Sequence, residues 1–312
     1  MSGDIPETVF VMFQLTFAII TPALIVGGFA ERMKFSSMFI FSFVWMILVY
    51  APICHMVWGG GFLGEMGLMD FAGGTVVHIN AGVAALVLAI YLGNRTGFQT
   101  VPMPPHNLSM TVAGASMLWV GWFGFNGGSA LGANKDAVSA LVVTQISASV
   151  ATLVWMAIEW MKHGKPSMLG AATGAIAGLA AITPASGTGG PLGALGIGAM
   201  SGSICGYAST AIKQNLGYDD SLDVFGVHGV GGFIGTIMLA VFMADNLGGV
   251  GYGEGNSMGS QLGTQVYAAL FTAVYTAIAT WIILKVVSIL TGGIRVDEGE
   301  ETTGLDQSYH GE

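Results

Sequence analysis

The sequence predicts an all-α polytopic membrane protein, on three observations. Hydrophobic residues make up 53% and charged residues 9% of the 312-residue chain, and mean hydropathy is +0.70, which excludes an ordinary soluble domain. Apolar stretches of about 20 residues, long enough to cross about 30 Å of hydrocarbon as helix, recur along the whole chain. The alternation of a membrane β-barrel is absent, and backbone in lipid must then satisfy its own hydrogen bonds as helix.

Nine spans follow in order. The first, 8 to 30, carries Phe13 and Phe17 one helical turn apart, and the second, 36 to 58, ends in Trp58. The third, 71 to 93, opens behind Asp70 and contains His78, and the fourth, 108 to 130, closes on Phe125 and Ser129. The fifth covers 137 to 161. The sixth, 167 to 186, repeats glycine at Gly170, Gly174 and Gly178, and the seventh, 191 to 212, at Gly198, Gly202 and Gly206. Small residues every fourth position let helices approach closely in lipid, so these tracks are architecture. The eighth span, 222 to 245, holds Asp223 and His228, and the ninth covers 263 to 291. Residues 1–292 thus read as one helical bundle. Residues 293–312 set Asp297, Glu298, Glu300, Glu301, Asp306 and Glu312 against Arg295, a polar tail expected to be a solvated end.

Basic residues orient the bundle. Arg32, Lys34, Arg95, Lys162, Lys165, Lys213, Lys285 and Arg295 fall on one side of the predicted spans and only Lys135 on the other. The basic side is expected to be cytoplasmic, with the amino terminus outside and the carboxyl tail inside. The first ten residues carry no signal-peptide pattern and read as an interhelical loop, so a preceding segment is expected. Cys54 and Cys205 read as packing residues. His55, His106 and His163 are given no role. No cofactor, metal or nucleic-acid partner is expected, nor enzyme chemistry.

Two acid–histidine pairs break the apolar pattern. Ionisable groups at membrane depth are expensive, which makes each a functional-site candidate. His78 lies eight residues beyond Asp70, about 12 Å deeper in the helix, whereas His228 lies about one and a half turns beyond Asp223 from the opposite face. The two imidazoles therefore approach the midplane on antiparallel helices, as an inverted repeat with its site at the repeat interface requires. They are expected to line a pore. For each aspartate two roles stay open, helix cap and direct substrate contact.

At the outer face, Phe17, Trp58, Phe125, Ser129 and Asp70 collect from separate spans. Aromatic faces with one hydroxyl and one nearby carboxylate suit a small cation, since desolvated cation–π contact is worth about 2 kcal/mol. Moving the bare ion into low dielectric carries an idealised cost of about 20 kcal/mol, which such contacts cannot offset. A cation that can shed a proton escapes this, because its neutral form and the proton pass separately, the latter along imidazoles. Potassium has no proton to lose.

These residues resemble the ammonium transporter family, the Amt branch of the Amt/Rhesus group. Asp70-Phe-Ala-Gly-Gly-Thr-Val-Val-His-Ile-Asn is similar to its signature, and Gly-Trp122-Phe-Gly-Phe125-Asn-Gly-Gly-Ser129 and Asp223-Val-Phe-Gly-Val-His228-Gly-Val resemble two further motifs. Gly304-Leu-Asp-Gln-Ser-Tyr-His-Gly-Glu312 resembles the family's carboxyl end. The resemblance implies an inverted repeat of two five-helix halves plus a bracing helix, assembled as a homotrimer with one pore per subunit. It implies Phe17, Trp58 and Ser129 as an outer ammonium-recruiting site supported by Asp70, Phe17 and Phe125 as a stacked phenyl gate, and His78 and His228 as twin pore histidines. Asp223 is taken as structural. The first span here matches the family's third, so the family's two opening helices are expected to be missing. The tail resembles the segment that communicates with the PII signalling protein. The expected function is plasma-membrane transport in which NH4+ is recruited, deprotonated and passed as NH3. The rivals are an ammonium sensor, a neutral NH3 gas channel and an inactive truncated fragment; retention of Trp58 and Ser129 favours cation recruitment.

Overall fold

The computed structural model describes residues 3–311. Helix α1 is Glu7–Gly28. Helix α2 begins as Phe35–Trp45 and continues through wide turns at Met46–Tyr50 into Ala51–Trp58. Helices α3 to α6 are Gly74–Leu92, Leu108–Gly128, Lys135–His163 and Met168–Ala185. Helix α7 runs from Pro191–Tyr207 on through Ala208–Ile212, and α8 and α9 are Phe225–Phe242 and Met258–Leu290. A short α10, Glu298–Thr303, lies in the tail. Among the described residues, eight of these helices are long and apolar enough to cross a membrane. The ninth expected span, α7, is helical over the same residues, but it is rich in glycine and serine and falls short of that mark.

Polar side chains start the helices where the sequence changes from loop to apolar run. Asn107 accepts the Met110 N–H at α4, Asn134 those of Asp136 and Ala137 at α5, and Ser167 that of Gly170 at α6. Reciprocal caps, Ser257 with Ser260 and Asp297 with Glu300, open α9 and α10.

Both glycine tracks pack on α5. A Cβ on Gly178 would lie 2.5 Å from the Ser147 carbonyl oxygen, and one on Gly202 would lie 2.6 Å from that of Ala151. Only glycine lets α6 and α7 grip α5 from two sides at this distance. Helix α3, the most enclosed of the spans, crosses α8 at a still closer point: a Cβ on Gly82 would sit 2.3 Å from the Gly229 Cα. Helix α9 fastens to the bundle through polar atoms. Thr280 accepts the Trp45 indole N–H at 3.0 Å, and the Thr276 hydroxyl donates to Asn80 Oδ1 at 2.7 Å.

Basic side chains converge at one end of the bundle. The Arg95 guanidinium donates to both Asp219 carboxylate oxygens at 2.8 Å and to Glu31 at 2.6 Å. Burial opposes ionisation of Asp219, but the Arg95 guanidinium outweighs it and holds the carboxyl below the usual carboxylate range. The tail differs from the solvated end expected. Ile294 and Val296 are buried, and the Arg295 guanidinium donates to the Leu92 and Asn94 carbonyls that end α3 and to Glu301. The Val296 N–H reaches the Arg32 carbonyl, and the Ile294 carbonyl accepts the Lys34 N–H. Unsatisfied helix-end carbonyls supply the partners that a count of acidic residues does not reveal.

Candidate functional site

At the end opposite the arginines, a cavity of about 420 Å³ is lined by Phe13, Gln14, Phe17, Trp58, Phe71 and Ser129 among others. Three of the predicted residues thus meet at one surface. Phe17 touches Trp58 edge-on with ring centroids 5.6 Å apart and Phe125 at 4.4 Å. The Phe17 and Phe125 planes are inclined by 38°, so the expected stacked pair is a tilted contact. Ser129 follows the last turn of α4 and donates its hydroxyl to the Phe125 carbonyl at 2.9 Å. Its lone pairs are left to accept an N–H. The carboxyl end of a helix carries partial negative charge, which also favours a cation there.

Asp70 stands behind this cavity rather than in its lining. Its carboxylate accepts the backbone N–H groups of Gly73, Gly74, Thr75 and Val76 at 2.6 to 3.3 Å and the Thr75 hydroxyl. Its main-chain carbonyl accepts the Trp58 indole N–H at 2.8 Å. Asp70 therefore caps α3 with its side chain and anchors Trp58 with its backbone.

Beyond the phenyl contact lie the histidines. His78 and His228 sit in wide first turns of their helices, Gly74–Ile79 and Phe225–Gly229. Widened turns of this kind recur at functional positions. The two Nδ1 atoms are 3.2 Å apart and the rings lie 24° from parallel, with centroids at 5.2 Å. One nitrogen donates and the other accepts, so a single proton lies between them. His78 Nε2 is buried without a partner. An apolar groove of about 530 Å³ runs between α1 and α4, from Phe13 to Leu24, and reaches His78 from the side of the bundle, and a cavity of about 300 Å³ that shares Leu118 with it reaches His228. The order along the bundle is aromatic cavity, phenyl contact, His78, His228, and the cavity at His228.

The model of the Ammonium Transporter Family matches residues 1–312. This chain belongs to the ammonium transporter family. An ammonium transporter of Bacillus subtilis (strain 168) is 45% identical to it over 316 residues, covering 100% of this chain and 76% of the relative. One from Aquifex aeolicus (strain VF5) is 48% identical, covering 98% and 71%. The crystal structure of Saccharomyces cerevisiae Mep2 superposes with a TM-score of 0.86 at 34% identity, over 95% of this chain and 68% of that one. A structure titled Sensor Amt Protein gives 0.89 at 29% identity, over 96% and 76%. The substrate class of the chain is accordingly ammonium, and its fold that of a multi-pass membrane transporter.

Two residues of this ammonium transporter, one beside the histidine pair and one at the start of α8, escaped the sequence reading. Trp122 lies flat over the histidine pair, 5.4 Å from His78 at 17° and 6.5 Å from His228 at 10°, and its indole N–H is held by Thr183 Oγ1 at 2.9 Å. Its place three residues before Phe125, on the same helix face, was the available signal. Asp220, not Asp223, is the counterpart of Asp70. It stands eight residues before His228, as Asp70 does before His78, and its Oδ2 accepts the Phe225 N–H at 2.7 Å in the first turn of α8. Asp223 fills the place of Gly73 in that alignment, and both adopt positive φ, 58° and 118°. The Asp223 side chain caps nothing; it pairs with Lys213.

Proposed function

We propose that this ammonium transporter conducts by splitting its substrate: NH4+ is held in the aromatic cavity, loses a proton, and crosses as NH3 past His78 and His228 while the proton moves along the ring pair. The observation that carries this reading is the hydrogen bond between the two Nδ1 atoms at 3.2 Å, with open space reaching each of the two rings. Trp58 and Phe17 supply cation–π faces and Ser129 an acceptor, worth a few kcal/mol in a desolvated mouth. That is too little to carry the intact ion across, against an idealised desolvation cost of about 20 kcal/mol.

The relay balances through the pair. A proton taken at the bare Nε2 of one ring releases that ring's Nδ1 proton to its neighbour's Nδ1, and the neighbour sheds its Nε2 proton on the far side. The rings end with their donor and acceptor roles exchanged. Selectivity against potassium then follows from chemistry, since an ion with no proton cannot be divided.

The same proposal places the Trp58 end outside the plasma membrane and the tail in the cytoplasm, in keeping with the cluster of Arg32, Arg95, Lys213 and Arg295 at one end. It includes a homotrimer with one pore per subunit and a PII-type partner at residues 293–312. A sensing role, raised by the likeness to a structure titled Sensor Amt Protein, would bind ammonium without current. A neutral gas channel would pass NH3 without current.

The test is reconstitution in supported liposomes with His78→Ala and His228→Ala combined. Wild-type protein should carry an ammonium-dependent current and none with potassium. The double variant should lose that current, or gain potassium conductance as the emptied pore fills with water. Unchanged ammonium current with potassium still excluded overturns the relay.

A further inference from the structure

Helix α9 meets the rest of the bundle with polar atoms at positions where lipid-facing helices carry aliphatic ones. Gln261, Gln265, Thr272, Thr276 and Thr280 share one buried face. Gln265, fully buried, has every hydrogen-bonding capacity of its amide filled. Oε1 accepts the Met69 N–H at 3.0 Å and the Gln261 amide at 3.1 Å, while Nε2 donates to the Met69 carbonyl at 2.8 Å and the Thr236 carbonyl at 3.0 Å. Met69 is thus held by both of its main-chain groups, as a neighbouring strand would hold it.

The next residue is Asp70, whose carbonyl takes the Trp58 indole N–H, and Trp58 meets Phe17 edge-on. A continuous line of bonds and contacts therefore runs from Gln265 to the aromatic lining of the cavity. The backbone-to-backbone bonds of the segment between α2 and α3 are local turns up to Leu68, and the Phe71 N–H is held by the Pro184 carbonyl, so the main-chain groups of Met69 in between depend on Gln265. That segment contains Gly59, Gly60, Gly61, Gly64 and Gly67, with φ of 80° at Gly60 and 84° at Gly67, backbone that side chains other than glycine rarely adopt. The bond to Thr236 fastens the same amide to α8, the helix of His228.

We propose that Gln265 is the positioning residue of the cation cavity: its amide sets the path of Met69 and Asp70 and so the place of the Trp58 indole. This rests on the reading of that cavity as the entry for NH4+. Without the amide, Met69's N–H and carbonyl lose their partners, and the Thr236 carbonyl keeps only its bond within α8, so the Met69 stretch relieves the loss by shifting. Trp58 then loses its anchor, while the histidine pair, whose helix Asp70 caps from its own side chain, keeps its geometry.

The experiment measures ammonium currents at graded concentration in liposomes carrying the full chain with Gln265→Leu or Gln265→Glu. Both variants should raise the half-saturating ammonium concentration by about fivefold and change the maximal current by less than about twofold. In a Trp58→Leu background, neither should raise it further, because the group they position is gone. Thr280→Val, which cuts the Trp45 bond on the same face, should lower thermal stability and leave half-saturation unmoved. A fall in maximal current at unchanged half-saturation, or effects that add to those of Trp58→Leu, overturns the proposal. If Trp58→Leu raises half-saturation and the Gln265 variants do not, the proposal alone fails; if Trp58→Leu has no effect, the cavity reading fails and takes the proposal with it. Should Gln265→Leu not fold, Gln265→Glu keeps the volume and both accepted bonds; failure of both to fold assigns the amide to folding alone and overturns the positioning role.

Discussion

Asp70 and Asp220 begin equivalent helices, yet the fold treats their carboxylates differently. Asp70 accepts five donors, whereas Asp220 accepts the Phe225 N–H through Oδ2 and leaves Oδ1 buried without a partner. Burial pushes the Asp220 carboxyl up to about 6, with the Phe225 bond and nearby Lys213 opposing and Asp223 reinforcing the shift. A raised carboxyl takes up its proton in the folded state first, so the stability it contributes is present below the unfolded value of 3.8 and is lost as pH rises through about 6. Asp220→Asn should therefore raise stability by about 3 kcal/mol near pH 7.5, by about 1 kcal/mol near pH 4.5 and little below the unfolded value, as followed by thermal unfolding in detergent. The capping role of Asp70 was legible beside direct substrate contact, with which it can coexist, and its side chain does cap α3. Asp223 was misleading because it is the acid nearest His228 in sequence. Only matching the eight-residue spacing, and a positive φ that no residue type announces when it falls on an aspartate, separates it from Asp220.

Among the elements, the crossing of α3 and α8 decides where the histidines meet. Gly82 and Gly229 touch backbone to backbone, and on the other side a Cβ on Gly232 would lie 2.8 Å from the Gly74 carbonyl oxygen and 3.0 Å from the His78 Cβ. Neither contact can be relieved by turning a side chain. Gly82→Ala should destabilise the protein by about 2 kcal/mol and widen the gap between the rings, read as a lower melting temperature and a lower maximal ammonium current at equal protein. The helices themselves were legible because composition and length suffice in lipid, and the glycine tracks of α6 and α7 were legible as close-packing faces. The widened turns at Gly74–Ile79 and Phe225–Gly229 were not, since a uniformly apolar segment has no periodicity from which a change of winding could be read.

For the molecule as a whole, the arginine end joins segments far apart in sequence. Arg95 follows α3, Asp219 precedes α8, and their side chains are 11% and 1% exposed. Arg95→Met leaves a buried carboxylate unpaired and should cost about 3 kcal/mol; adding Asp219→Leu should recover most of it, measured as the difference in unfolding free energy between single and double variants. The bias of basic residues along the chain foretold that Arg32, Arg95 and Arg295 would share an end. It could not foretell partners 124 and 187 residues away, which are set by how the helices return. The ring pair has a consequence at this scale as well. With one proton between two nitrogens, the ring pair possesses a direction, and the proposed relay along it would invert that direction at each passage. Before the next ion of the same sense is admitted the pair must be rearmed, so such a carrier would count its cargo singly, and its ceiling would be set by recovery rather than by supply.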